Sequence, residues 1–402
     1  MPSYPVRDGQ PSMFALDDNA SAATVETIHS TIRTATCACR NLRAACAGDG
    51  EQGAAAFDPG GHSPSPEERA AAAEMLRMIW GIHMSQAFYV VAELGIADLL
   101  ADGPMSAALL AQATRTHRPS LYRVLRFLAS LGVFNEQPDG SFGLTMMGER
   151  LRSDVPASMR SWALLVERAG AFRAFEPILE TVRTGRSGFE LAHGMSLFEF
   201  LGRHPQRAAG FQAAMSERTA AFAPSVAAGY DFSGMRTVAD IGGGSGTLLA
   251  AVLQAHSQLR GVLFDLPAVT VEARAALHAA GVADRCEVVG GDFFQAVPPG
   301  ADGYILANVL HDWDDIRAAQ ILEVCRQALG QDERVLIVER LIPDNLAEAV
   351  PVLLSDLTML VVTGGQERTN PDYERLLSGA GLRLGKIQPV AVPYGVIEGV
   401  AQ

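Results

Sequence analysis

Arg236-Thr-Val-Ala-Asp-Ile-Gly-Gly-Gly-Ser-Gly-Thr247 decides the fold: a short apolar strand runs into a glycine turn that opens the helix Leu248 to Gln254. Gly242, Gly244 and Gly246 supply positive φ and leave no Cβ to hold a ligand away from the backbone. Several nucleotide-binding turns share that pattern, so Asp240 has to discriminate among them. A carboxylate beside the turn repels a pyrophosphate, whereas it suits the ammonium and sulfonium of S-adenosylmethionine. A dinucleotide fingerprint begun at Gly242 would also need glycine where Thr247 stands.

Two later strand ends agree. Asp265 closes Gly261-Val-Leu-Phe-Asp nineteen residues after Gly246, where an acidic side chain accepts both ribose hydroxyls. Asp292 follows the strand Arg285-Cys-Glu-Val-Val in Gly-Asp-Phe-Phe; its carboxylate is placed to accept from the adenine amine while Phe293 lies along the ring. Taken singly, each aspartate is more often a helix cap or turn residue. Three at successive strand ends after this turn read as one cofactor site.

The 402 residues, 48% of them hydrophobic, suggest two domains and an extension with ample material for a core. A formal net charge of −13 with Lys386 as the only lysine argues against nucleic acid or anionic lipid as the main partner, since phosphate contacts need clustered cations. No run of about eighteen apolar residues exists, so neither a membrane span nor a secretory leader is expected and a cytoplasmic location is the default. Cys37, Cys39, Cys46, Cys286 and Cys325 are odd in number and lack Cys-x-x-Cys spacing, which points to free thiols and away from a disulfide framework or a zinc site.

Residues 1–66 are an extension: a polar tail, then Val25, Ile28, Ile32, Ala35, Cys39, Leu42 and Cys46 at helical spacing, either packing on a partner surface or frayed, then a Gly-Ser-Pro linker from Gly48. Residues 67–160 begin with a helix at Pro66-Glu-Glu-Arg. Two short helices over Met105 to Val133 and a strand pair with a Gln137-Pro-Asp-Gly turn then follow in the order of a winged helix. Such a unit raises a rival function, DNA binding through the helix Ser120 to Leu131 and Arg115, Arg118, Arg123 and Arg126. The acidic total charge and the apolar Leu121, Val124, Leu125, Phe127 and Leu128 favour packing against a partner subunit instead. Residues 161–230 are helical, and two aromatic clusters, Phe172 and Phe175, then Phe189, Phe198, Phe200, Phe211 and Phe222, with Met195 and Met215, either line an aromatic acceptor pocket or belong to ordinary core. Residues 231–402 alternate strand and helix, the signature of an α/β, doubly wound, Rossmann-like parallel sheet whose ligands bind at the carboxyl ends of the strands.

At that edge, behind Tyr304-Ile-Leu-Ala, comes Asn308-Val-Leu-His-Asp-Trp-Asp-Asp. His311 is a general-base candidate, because an imidazole near neutrality can take a phenolic proton as a methyl group moves. Asp312, Asp314 and Asp315 with His311 offer a divalent-metal alternative, although Asp314 and Asp315 also suit the N-terminal cap of a helix Ile316 to Leu329.

From about residue 67 to 400 the chain resembles the S-adenosylmethionine-dependent O-methyltransferases of the plant caffeate and acetylserotonin type and their bacterial polyketide-tailoring relatives. The resemblance rests on Asp240-Ile-Gly-Gly-Gly-Ser-Gly, Phe264-Asp-Leu-Pro, Gly291-Asp-Phe-Phe, Leu310-His-Asp-Trp and Gly364-Gly-Gln-Glu-Arg-Thr, in family order. It implies a homodimer formed through the winged-helix domain, no metal, and cofactor contacts from Asp240, Gly242, Gly244, Gly246, Asp265, Leu266, Asp292 and Phe293. It further implies His311 as base with Glu339 and Glu367 flanking the imidazole, and Met215, Asp312 and Met359 as acceptor contacts. Two features depart from the pattern: Ala307 stands where plant members carry a lysine, and the segment Met359 to Glu367 is one residue shorter than theirs. Relatives that hydroxylate or decarboxylate tend to lose the His-Asp-Trp motif, which is intact here, so methylation of an aromatic hydroxyl on a secondary metabolite is the expected activity.

Overall fold

The computed structural model describes residues 64–330 and 332–402. The expected helix Val25 to Cys46, with Cys37, Cys39 and Cys46, lies outside the described residues.

Helix Pro66–Ile79 starts where proline and acids predict. Ser65 Oγ accepts from the Glu68 N–H at 3.1 Å while Glu68 accepts from the Ser65 N–H at 2.6 Å, a reciprocal cap that satisfies two otherwise orphaned donors. No residue of this helix is buried, and Met75, Met78 and Ile79 are exposed.

The winged-helix order is present. Strand β1 (Met105–Ser106) precedes helices Ala107–Thr114 and Arg118–Ser130, then β2 (Phe134–Glu136) and β3 (Ser141–Leu144), in a sheet ordered β1-β3-β2. The second helix begins at Arg118 and not at Ser120, because Pro119 occupies a first-turn position where its missing N–H costs nothing. It buries Leu121, Leu125 and Leu128, one stripe at spacings of four and three.

The catalytic half holds a seven-stranded sheet built from β4 (Thr237–Ile241), β5 (Arg260–Asp265), β6 (Cys286–Gly290), β7 (Gly303–Ala307), β8 (Arg334–Arg340), β9 (Leu382–Ala391) and β10 (Tyr394–Ala401), ordered β6-β5-β4-β7-β8-β10-β9. The five strands from β6 to β8 pair in parallel, but β10 is antiparallel to both β8 and β9. The sheet is therefore mixed, not wholly parallel as alternation alone suggested. Only Val392 and Pro393 separate β9 from β10, far fewer residues than the dozen or so a parallel crossover needs.

Side chains alternate into two cores. Val238, Leu263 and Ile305 pack with the helix Thr247–Ala255 on one face, while Ala239, Phe264 and Leu306 pack with the helix Asp315–Ala328 on the other. After β4 the chain winds outward through β5 and β6, then returns to β7 on the opposite side of β4. That reversal opens a crevice at the carboxyl ends of β4 and β7, and the glycine turn and His311 both follow those ends.

Leu263 is fully buried at the centre of this layered packing. Leu263→Ala should lower the unfolding free energy by about 3 kcal/mol in urea titrations, the transfer and cavity cost of a core leucine; a loss below about 1 kcal/mol would contradict the two-sided packing of β5.

Candidate active site

Gly242, Gly244 and Gly246 adopt φ of 71°, 57° and 79°, as the glycine pattern predicted. At Gly246 sterics add to conformation, since a Cβ there would lie 2.8 Å from Leu263 Cδ1. Asp265 braces the turn from β5: its Oδ2 accepts from the Gly244 N–H at 2.8 Å and its Oδ1 from the Leu266 N–H at 2.6 Å. Leu266 itself is exposed beside it. Phe293 lies against the turn, 3.5 Å from where a Gly242 Cβ would stand.

Asp240 is placed differently from the sequence expectation. It lies beneath the turn and not beside it, 1% exposed, so close that a Cβ on Gly243 would meet its Cγ at 2.8 Å. Burial, and then the Asp265 charge, push its carboxyl up to about 7, and its Oδ2 has no hydrogen-bond partner. Burial raises Asp265 as well. A buried carboxyl beneath the turn and a half-buried one bracing it favour a cationic ligand and oppose a pyrophosphate. Asp292 accepts from the Phe294 N–H at 2.9 Å and from Gln295 Nε2 at 3.0 Å, which fixes its carboxylate at the start of the next turn.

The histidine turn is built on a second buried carboxylate. Beyond β7 the backbone becomes left-handed at Asn308, φ 52°, and closes a short 3-10 turn over Leu310–Asp312. Glu339, fully buried on β8, receives the N–H groups of Val309 and Leu310 at 3.0 Å each and of His311 at 3.3 Å on a single oxygen, Oε1. Its other oxygen lies 3.3 Å from His311 Nδ1, and Glu367 Oε1 lies 3.2 Å from that same nitrogen. The two glutamates expected beside the ring both converge on Nδ1. A nitrogen between two carboxylates holds the proton, which leaves the lone pair on Nε2, where Asp312 Oδ1 stands 3.8 Å away.

Electrostatics follow this geometry. Burial disfavours the imidazolium, but Glu339, Asp312 and Glu367 outweigh it and hold His311 above its ordinary value. Burial would also raise Glu367, yet bonds from His311 and Ser355 and the nearby Arg340 bring it below the usual carboxylate range. Glu339 goes the other way, raised by burial and by Glu367 against the pull of His311.

Several supports escaped the sequence. Arg368, 1% exposed, donates to the carbonyls of Leu310 and Trp313 on either side of His311 and to Asp315, each at 2.9 Å. Its place in Gly-Gly-Gln-Glu-Arg-Thr was visible, its function was not. The Gln366 N–H donates to the His311 carbonyl at 2.9 Å, and a Cβ on Gly365 would sit 2.0 Å from that oxygen, so only glycine fits. Ser355 donates to Glu367 Oε1 at 2.7 Å and accepts from Arg340 at 2.9 Å; no local motif marked it.

Asp314 caps the helix Asp315–Ala328, accepting from the Arg317 N–H at 2.8 Å, and Asp315 takes Arg368. Among the described residues the cluster with metal-ligand spacing is His311, Glu339 and Glu367, not the aspartate run. Met215 and Met359 lie on helices Pro205–Gly229 and Val350–Val362, which also bring Ser216 to Ser245 and Ser355 to Glu367. Phe198 stacks on Trp313 at 5.5 Å, whereas Phe189 and Phe200 are core.

The chain matches known proteins over both halves. The O-methyltransferase domain model covers residues 175–383 and the O-methyltransferase dimerisation domain model residues 76–154. The chain is 43% identical over 324 residues to a phenazine O-methyltransferase of Lysobacter antibioticus, spanning 81% of this chain and 94% of that protein. It is 39% identical over 335 residues to an 8-amino-8-demethylriboflavin N,N-dimethyltransferase of Streptomyces davaonensis, 82% of this chain and 96% of the other. Among solved structures, an O-methyltransferase from neocarzinostatin biosynthesis, in complex with S-adenosylmethionine and 2-hydroxy-5-methyl naphthoic acid, superposes with a TM-score of 0.72 at 36% identity, covering 80% of this chain and 96% of that one.

Two outcomes follow from the site's construction. Asp265→Ala, which frees Gly244, should weaken S-adenosylhomocysteine binding by about tenfold or more in calorimetry, the worth of a charge-assisted bidentate contact. Arg368→Met should cost about 2–4 kcal/mol of stability by removing a buried guanidinium that donates to the Leu310 and Trp313 carbonyls and by stripping the Trp313 carbonyl of that donor; an unchanged denaturation midpoint would show that the clamp is dispensable.

Proposed function

This chain belongs to the S-adenosylmethionine-dependent O-methyltransferases of secondary-metabolite biosynthesis, and we propose that its acceptor is a phenolic hydroxyl of an aromatic metabolite, deprotonated by His311 Nε2. The observation that carries this reading is the convergence of Glu339 and Glu367 on Nδ1. It fixes one tautomer, aims the basic nitrogen away from the carboxylates and stabilises the imidazolium that proton uptake creates. When bound, S-adenosylmethionine supplies an electrophilic methyl group on a sulfonium. Asp240 and Asp265 offset that positive charge from behind the glycine turn, and Trp313 with Phe198 offers an aromatic face for a planar acceptor. Holding acceptor and donor in line contributes of order 7 kcal/mol, more than the proton transfer itself.

The exposed Met75, Met78 and Ile79, together with the dimerisation-domain match, support a homodimer. Light scattering should give twice the 42.7 kDa chain mass at micromolar concentration; a monomer would remove that part of the reading.

A second reading, transfer to an aryl amine, draws on the riboflavin-type relative that methylates an amino group. A neutral amine already carries a lone pair, so the base separates the two. On a phenol, His311→Ala should lower turnover by about 100-fold at pH 7; on an amine it should matter little. The wild-type rate on a phenol should rise with pH, since the base acts unprotonated, and the midpoint should lie above 6.5 because the surrounding carboxylates raise His311. In the variant the dependence should move towards a phenol pKa of about 10. A variant that methylates phenols at the wild-type rate at pH 7 would reduce His311 to a structural residue.

A further inference from the structure

Asn308 is one of three non-glycine residues with positive φ among the described residues, and it stands three positions before His311. A residue of this kind persists only where its surroundings over-determine it. Here the left-handed bend is what turns the N–H groups of Val309, Leu310 and His311 towards one oxygen of Glu339. With an extended Asn308 the chain would continue the line of β7, and the three donors would not converge.

The hold on Asn308 comes from the helix Pro205–Gly229. Arg218 Nη2 donates to Asn308 Oδ1, Arg218 Nε donates to Tyr394 Oη at 3.2 Å, and Tyr394 Oη donates in turn to Asn308 Oδ1 at 3.2 Å. Tyr394 is itself fixed, 8% exposed, with Phe222 stacked on its ring at 4.1 Å and the Arg340 guanidinium 5.2 Å from its centroid. Phe222 is one helical turn beyond Arg218, so the same helix contributes both the donor and the platform. Half a turn before Arg218, Ser216 hydrogen-bonds Ser245 of the glycine turn at 2.7 Å. The two loops also meet directly, since a Cβ on Gly242 would stand 2.9 Å from Val309 Cγ2. One helix thus grips the turn that receives the methyl donor and the turn that carries the base.

We propose that Arg218 is a positioning residue for methyl transfer: by pinning Asn308 in its left-handed conformation it sets the His311 turn, and with it the imidazole, against the cofactor turn held by Ser216. The proposal rests on His311 being the base. Arg218 touches neither reacting atom in this scheme; it acts through Asn308.

Arg218→Met separates this role from plain stability. It should lower kcat on a phenolic acceptor by about tenfold or more, the scale of a small misplacement of reacting groups, while acceptor KM and S-adenosylhomocysteine affinity stay within about twofold. Adding Asn308→Gly should recover most of the lost turnover, because glycine takes φ near 52° without a side-chain hold. A wild-type kcat in Arg218→Met, a rise confined to acceptor KM, or a double variant no better than the single one would each overturn the proposal, the second by making Arg218 an acceptor contact. Melting temperatures are measured alongside, and a loss of turnover that tracks a fall in melting temperature and is not repaired by the glycine counts against it. If His311→Ala leaves phenol methylation intact, the base reading fails separately. In that event ring-nitrogen NMR of His311 in the Arg218→Met chain still reads the turn: a shifted or broadened Nδ1 resonance shows that Arg218 orders it, an unchanged one that it does not.

Discussion

A single carboxylate that never meets water governs this site. Glu339 is fully buried, and a lone charge in that position would be costly enough to unfold the surrounding structure or to bind a proton. Three backbone N–H groups on Oε1, with the His311 ring 3.3 Å from Oε2, make it tolerable. Those donors are available because β7 and β8 pair in parallel with Ala307 opposite Val338, so the turn after β7 and the residue after Val338 arrive together. A slip of one residue in that pairing would turn Glu339 to the other face of the sheet and leave the histidine turn without an anion to fold around. The register of two central strands and the placement of His311 are thus one constraint.

The charges around it divide the pH axis. His311 is raised relative to an unfolded chain, so its pairing contributes stability in full below about 6.5 and loses it as pH climbs through the folded value. Glu367 is lowered, so its contribution is present above about 4.5 and disappears as pH falls through its folded value. The pair is strongest between those limits. The proton abstraction proposed for His311 would need the neutral ring, which forms beyond the upper edge of that window, so on that reading the enzyme acts where His311 is giving up part of its hold on the fold. Arg368, bonded to carbonyls on both sides of the histidine, is independent of that proton and keeps the turn closed through it.

Much of this was readable in the chain. The glycine turn, the strand-end aspartates and the His-Asp-Trp segment are local patterns whose spacing carries the chemistry, and residues 237–265 fold as their periodicity indicated. Tertiary arrangement was less accessible. Asp240 was expected beside the turn; that it lies buried beneath it was hidden, because sequence gives adjacency and not which way a five-residue loop folds back. Glu339 and Glu367 were expected to flank and orient the imidazole; that both reach Nδ1 depends on the approach of β8 and a loop residue 28 positions later. Ser355, Arg218 and Tyr394 lie in segments with no motif, and their roles exist only once helices and strands distant in sequence are packed. The final hairpin reverses direction for a reason that was legible, two connecting residues, yet the general alternation of strand and helix hid it.

The contact of Gly365 with the His311 carbonyl bears on how such a protein can diversify. Two loops lie back to back there with no room for a single methyl group, so nothing can be added at Gly365 on the side of His311. The helix Val350–Val362 that leads into this stretch has Leu354 and Leu357 exposed instead. On the proposed reading, a change of acceptor would be drawn on that solvent-facing helix, where a side chain can grow without moving the His311 turn.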